Sequence, residues 1–273
     1  MKIFIDSADV WAIREAYETG LIDGVTTNPT LIMKSGKHPE KVYQKLKDMG
    51  INDISMEVVG NAETMINEGR RLKAKFGECA TIKVPCTPDG LLACHTLSKE
   101  LIRVNVTLIF STAQAILAAK AGAAYVSPFV GRLEDNSHSG VEVVRSIVDI
   151  YKKHNIYTEV LAASIRDVAK VTLAFWNGAH ICTIPPKVFN KMYDHVLTDA
   201  GLKIFDEDHK TTFSSTEGAA LAERRGGDLD RLDGMEYNFV DDGFTYTIDT
   251  PETQGLVDFG DMDPDDPRIG FIP

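Results

Sequence analysis

Between Lys2 and about residue 190 the chain repeats one rhythm eight times: a short run rich in isoleucine, valine and threonine, a turn, then a longer amphipathic stretch. Lys2–Asp6 reads as a strand, and Ser7 as the cap of an amphipathic run to Gly20 in which Ala8, Trp11, Ile13 and Tyr17 share a face. Further strands are expected at Ile22–Thr27, Ile54–Val59, Ala80–Pro85, Arg103–Leu108, Tyr125–Phe129, Tyr157–Ala162 and His180–Ile184. Between them come a short helix after Asn28-Pro29, then helices at Pro39–Met49, Ala62–Phe76, Asp89–Leu101 and Thr112–Ala121, the last capped by Ser111. A polar loop follows the sixth strand, ahead of helices near Gly140–His154 and Ile165–Asn177 and one opened by Pro186. Strands separated by helices pair in parallel, and eight such units with short loops predict an α/β fold, a closed (β/α)8 TIM barrel. Neither G-x-G-x-x-G nor a Walker A pattern occurs, so dinucleotide and P-loop readings have no support.

The rhythm stops near Phe213, and so does the charge balance. The whole chain carries −11, but from Asp206 onward there are 18 acids and 5 bases, against 22 acids and 24 bases before it. The division predicts a barrel domain over residues 1–213 and an acidic C-terminal extension over 214–273, partly ordered or disordered. Within the extension, Ala219–Arg225 could form two helical turns, and residues 237–248 around Asp241-Asp242-Gly243 read as a β-hairpin. Asp261, Asp263, Asp265 and Asp266 loosely resemble a calcium loop, without its glycine and closing glutamate. Net acidity argues against general nucleic-acid affinity, and no run is long enough to span a bilayer. The opening residues do not form a signal peptide, and four cysteines without C-x-x-C spacing suit a reducing, cytoplasmic setting.

In such a barrel the strands' carboxyl ends form the site. Read in order, those ends offer Asp6, Thr27 with Asn28, Glu57, Lys83, Asn105 with Thr107, Ser127 with Arg132, and Ser164 with Arg166. Any one of them alone would be read as a cap, a turn bond or a surface ion pair. Seven consecutive strands ending this way would converge on one mouth. Lys83 stands out, because it lies near the end of an apolar strand. A desolvated amine there could attack a carbonyl and form a Schiff base, whereas a lysine at an open strand end would simply reach solvent.

Four stretches carry a resemblance: Thr26-Thr27-Asn28-Pro29-Thr30-Leu31, Ile82-Lys83-Val84-Pro85, Asn105-Val106-Thr107-Leu108-Ile109-Phe110-Ser111 and Ser127-Pro128-Phe129-Val130-Gly131-Arg132. Together they resemble the transaldolase family, most closely its short branch, which also contains fructose-6-phosphate aldolases. The resemblance covers about residues 1–213. It implies a metal-free, cofactor-free class I aldol mechanism acting on sugar phosphates. Lys83 would form the imine, Asp6 would be the acid/base, and Glu57 with Thr107 would hold a catalytic water. Thr27, Asn28, Asn105, Ser127 and Phe129 would contact the donor, and Arg132, Ser164 and Arg166 its phosphate. Glu57 also has a plainer reading, as the salt-bridge partner of Lys83.

Aldolases of this family tend to carry glutamine and tyrosine where this chain has Glu57 and Phe129, so the resemblance implies a transaldolase ahead of an aldolase releasing dihydroxyacetone. It further implies a homo-oligomer, a pentamer or decamer, with the helix around Leu202-Lys203-Ile204-Phe205 crossing to a neighbour.

Overall fold

The computed structural model describes residues 1–213. The expected helix at 219–225, the hairpin at 237–248 and the aspartate-rich run from Asp261 lie outside the described residues. The chain divides into two compact units, Met1–Asp194 and a second beginning at His195.

In the first unit eight parallel strands close on themselves in chain order. They are β1 (Lys2–Asp6), β2 (Gly24–Thr26), β3 (Ile54–Glu57), β4 (Ala80–Pro85), β5 (Val104–Ile109), β6 (Tyr125–Pro128), β7 (Glu159–Ala162) and β8 (Ile181–Ile184). Around them run α1 (Val10–Glu18), α2 (Pro29–Ser35), α3 (Pro39–Asp48), α4 (Ala62–Phe76), α5 (Pro88–Lys99), α6 (Thr112–Lys120), α7 (Val130–Asp135), α8 (Gly140–Lys153), α9 (Val168–Trp176) and α10 (Pro186–Lys191). The expected (β/α)8 barrel is the fold. The cap of α1 is Asp9, whose carboxylate accepts from the Trp11 N–H, and Ser7 instead accepts from the Asp9 N–H at 3.0 Å. Two acceptors stand two residues apart, and the one adjoining the first helical turn takes the cap position. The stretch expected as a polar loop after β6 contains α7, whose six residues are too few to show a helical period.

Alternation along the strands sorts the side chains into two sets. Ile5, Val25, Ile54, Met56, Ile82, Val84, Val104, Val106, Val126 and Val160 join the main core between sheet and helices. A separate, smaller cluster of Phe4, Tyr125, Leu161, Ala163 and Ile181 plugs the barrel interior. Beneath the plug, at the strands' amino ends, Asp53 accepts from Thr81 Oγ1 at 2.8 Å and Tyr125 Oη at 2.6 Å, and pairs with Arg103 at 3.2 Å. Above the plug the inward positions include Asp6, Thr26, Lys83, Thr107, Ser127 and Thr183. Cys94 and Cys182 belong to the outer core, where burial pushes both thiols up to about 12.

The described part of the second unit is one helix, α11 (Val196–Phe213), on which Leu197, Leu202 and Phe205 are 71%, 55% and 69% exposed. Among the described residues, no helix is long and apolar enough to cross a membrane.

Candidate active site

β4 carries the inward pair Thr81 and Lys83 before Pro85, which has no N–H to continue a ladder. Parallel register sets Glu57 of β3 and Asn105 of β5 at the same level as Lys83. The lysine is 5% exposed. Its ammonium meets Glu57 Oε2 at 2.9 Å and donates to the Thr27 carbonyl oxygen at 2.9 Å. Solvent exposure, the ordinary destination of a strand-end lysine, is thus ruled out here, because its charge is matched inside the barrel.

Lys83 forms part of the wall of a cavity of about 120 Å³ at the strands' carboxyl ends, together with Asp6, Asn28, Thr107, Ser127, Phe129, Arg132 and Ser164. Asp6 is held well above the ordinary carboxylate range, first by burial, with Lys83 and the Thr26 hydrogen bond pulling the other way and Glu57 adding to the rise. A carboxyl with raised proton affinity is suited to accept and return a proton near the buried amine. Thr107 Oγ1 is buried and finds no hydrogen-bond partner among the described residues, which leaves it free for a ligand hydroxyl.

Two further groups shape the mouth. Asn28 caps α2, its Oδ1 accepting from the Leu31 N–H at 2.9 Å, so its amide nitrogen remains to face the cavity. Arg132 rides on α7, with its guanidinium 5.1 Å from the centre of the Phe129 ring, which in turn packs edge-on against Phe110 at 5.7 Å. Beside them Ser164 adopts a left-handed backbone, φ 59°, and its carbonyl accepts from the Gly131 N–H at 3.1 Å.

The remaining sequence-expected residues sit elsewhere. Glu57 stands behind Lys83 as its ion-pair partner. Asn105 is absent from the cavity wall and fully buried, donating to Ser55 Oγ at 3.2 Å and accepting from Ser127 Oγ at 2.7 Å, so it holds Ser127 in place. Thr27 points the wrong way for a ligand. Its hydroxyl donates to the Ser55 carbonyl at 2.9 Å and lies 3.5 Å from Tyr43 Oη, leaving only its backbone oxygen beside Lys83. The inward threonine of β2 is Thr26, opposite Asp6 in register. Arg166 is tied through both terminal nitrogens to Asp135 and is absent from the cavity wall. Thr26, Leu161, Ala163 and Thr183 complete that wall. Strand-end reading stopped at the seventh strand and so passed over Thr183 on β8. In the Thr26-Thr27 pair, identical side chains hid which one faced inward. Among the described residues, no three histidines, cysteines or acids gather as metal ligands would.

A family model described as "Transaldolase/Fructose-6-phosphate aldolase" matches residues 3–242. A "Probable transaldolase" of Paracoccus denitrificans is 50% identical over 213 residues, 78% of this chain and 98% of that protein. Proteins of the same name from Rhodospirillum centenum and Caulobacter vibrioides are 46% and 49% identical, covering 84% and 79% of this chain and 99% of their own lengths.

Proposed function

The chain belongs to the transaldolase/fructose-6-phosphate aldolase family, and from that premise we propose that it is a transaldolase working through a Schiff base on Lys83. In this reading Lys83 passes its ammonium proton to Glu57 and its amine adds to the C2 carbonyl of a ketose phosphate, sedoheptulose 7-phosphate or fructose 6-phosphate. Glu57 then returns that proton to the departing hydroxide, so that water leaves and an iminium remains. Asp6 takes the C4 hydroxyl proton, the C3–C4 bond breaks, and its electron pair passes into the iminium to give an enamine as the aldose phosphate departs. The enamine then attacks the aldehyde of an incoming aldose phosphate, Asp6 returns its proton to the new hydroxyl, and hydrolysis frees Lys83. Glu57 and Thr107 serve the water steps, Asn28 and Ser127 the donor hydroxyls, and Arg132 with Ser164 the phosphate. Asn105 acts through Ser127, and Arg166 must exchange Asp135 for a phosphate to take part.

One observation carries this reading: a nearly fully buried lysine in the wall of a small polar cavity, beside an aspartate whose proton affinity is raised. The test is incubation with fructose 6-phosphate, borohydride reduction and peptide mass mapping. An adduct on Lys83 is expected, and no adduct anywhere would sink the mechanism.

A second reading, a fructose-6-phosphate aldolase that releases dihydroxyacetone, is named in the family description itself. Phe129 favours transfer over release, because its ring in the cavity wall has no hydroxyl to protonate the enamine. Phe129→Tyr should raise free dihydroxyacetone relative to transfer product, and an unchanged ratio would remove Phe129 from that role. The pentameric or decameric assembly, a cytoplasmic setting, a place in the pentose phosphate pathway and a dispensable extension over 214–273 complete the proposal. Support for association comes from the exposed apolar residues of α11.

A further inference from the structure

β2 and β8 flank β1 in the barrel. Each sends an inward threonine toward Asp6, and neither threonine has a part in the chemistry set out above. Thr26 stands opposite Asp6 in the β1–β2 register, and Thr183 opposite Phe4 in the β1–β8 register. Both are only 2% exposed, and both line the cavity. Thr26 Oγ1 donates to Asp6 Oδ1 at 2.8 Å, and the two threonine hydroxyl oxygens are 2.6 Å apart.

A hydroxyl has one hydrogen to give. That of Thr26 is committed to the carboxylate, so the hydrogen between the two threonines belongs to Thr183. The result is a directed chain, Thr183 to Thr26 to Asp6, ending on the charged group. A donor that is itself donated to is polarised and binds its acceptor more strongly. Asp6 Oδ2 accepts no hydrogen bond from the described residues.

We propose that Thr183 is a positioning residue for Asp6, acting through Thr26 to fix Oδ1 and reserve Oδ2 for proton exchange with the substrate. The inference rests on the reading of Asp6 as the acid/base. Its chemical merit is that the chain never has to turn round. A proton arriving on Oδ2 leaves Oδ1 an acceptor, so both threonine hydroxyls keep their direction through the cycle and neither must rotate during the transfer. A carboxylate free to spin would present either oxygen and spend part of its time misaligned.

The groups facing Asp6 are Thr26 from β2, Glu57 from β3, Lys83 from β4 and, through Thr26, Thr183 from β8. Burial and Glu57 favour its protonated form, while Lys83 and the Thr26 hydroxyl favour the carboxylate. Taking away the Thr183 hydroxyl weakens the last of these, so Asp6 would hold its proton to higher pH. The base form needed for bond cleavage would then appear later on the pH scale.

Thr183→Val removes the hydroxyl at nearly constant shape, and Thr183→Ser keeps it. With fructose 6-phosphate as donor, Thr183→Val should lower kcat roughly ten-fold, about the effect of one lost hydrogen bond. KM should stay within about two-fold, and the acidic limb of the kcat–pH profile should move to higher pH. Thr183→Ser should restore both the rate and the limb. Borohydride should still trap the adduct on Lys83 in every variant, since imine formation does not call on Asp6. An unmoved acidic limb in Thr183→Val, or a rise in KM with kcat intact, would overturn the proposal. The second outcome would make Thr183 a substrate contact. If Thr183→Val fails to fold by circular dichroism, Thr183→Ala against Thr183→Ser carries the same comparison. Failure of the unmodified enzyme to form any adduct would instead strike the Schiff-base reading, which the variants do not test.

Discussion

Asp6 is carried in an environment that resists its ionisation. Its folded-state affinity for a proton exceeds that of the unfolded chain, because burial outweighs the help from Lys83 and Thr26. The sign of the linkage follows. The folded state binds more protons across the interval between the two pKa values, so the contribution of Asp6 to stability declines as pH rises from the ordinary carboxylate range through the raised value. Asp6→Asn should therefore melt a few degrees higher at neutral pH while losing at least a hundred-fold in turnover, the usual yield of an acid/base group. Calorimetry at two pH values checks it, with the gain expected to shrink in acid; equal gains at both would remove the electrostatic explanation. Arg166 offers a different residue-scale test. Its exposed bidentate pair with Asp135 is worth at most about 1 kcal/mol, so Asp135→Asn should lower KM for a phosphorylated donor by up to about five-fold and lower Tm by no more than about 4 °C. A raised KM would mean that Asp135 aims the guanidinium instead.

At the scale of elements, the strands and most helices were legible because their patterns are long enough to count. Ala62–Phe76 and Ala80–Pro85 have the bounds the sequence predicts, and Ser111 caps α6 through a reciprocal capping box with Gln114. Short elements were not legible. α7 has no full heptad, and its existence depends on hydrogen bonds from Val130 and Gly131 to the Ala163 and Ser164 carbonyls, contacts no local pattern encodes. The orientation of Thr27 escaped for a related reason, since strand parity is fixed by the neighbours and not by two identical side chains. Gly131 shows how tightly α7 is stitched to the segment after β7. A Cβ there would lie 2.3 Å from the Ser164 carbonyl oxygen and 2.8 Å from Arg166 Nε. Gly131→Ala should cost about 1–3 kcal/mol, visible as a Tm several degrees lower, and should raise KM for phosphorylated donors by moving the Ser164 side of the mouth. A variant with unaltered Tm and KM would mean that the two loops can part freely.

At the scale of the whole molecule, the charge asymmetry falls near the expected boundary at 213, and about four-fifths of this chain covers nearly all of each of the three relatives. The family match, however, runs to residue 242, beyond the expected end of the barrel domain at 213. Truncation after Phe213 should leave turnover within about two-fold, and a soluble but inactive product would assign the later residues a part in catalysis. Light scattering on the full chain should give the mass of a pentamer or decamer, and a monomer at micromolar concentration would end that proposal. Lastly, the barrel's alternation has a consequence for how such a chain can change over generations. Most strands carry working residues near the end of one parity and outer-core residues on the other, as Lys83 between Ile82 and Val84 illustrates. Substitutions on the inner parity can vary the reaction without disturbing the cohesive layer. A single-codon deletion within a strand would exchange the two sets at once, turning lysine and glutamate outward against the helices and leucine-like side chains into the mouth. The eight strands should therefore be closed to insertions and deletions, with length variation confined to the loops between them.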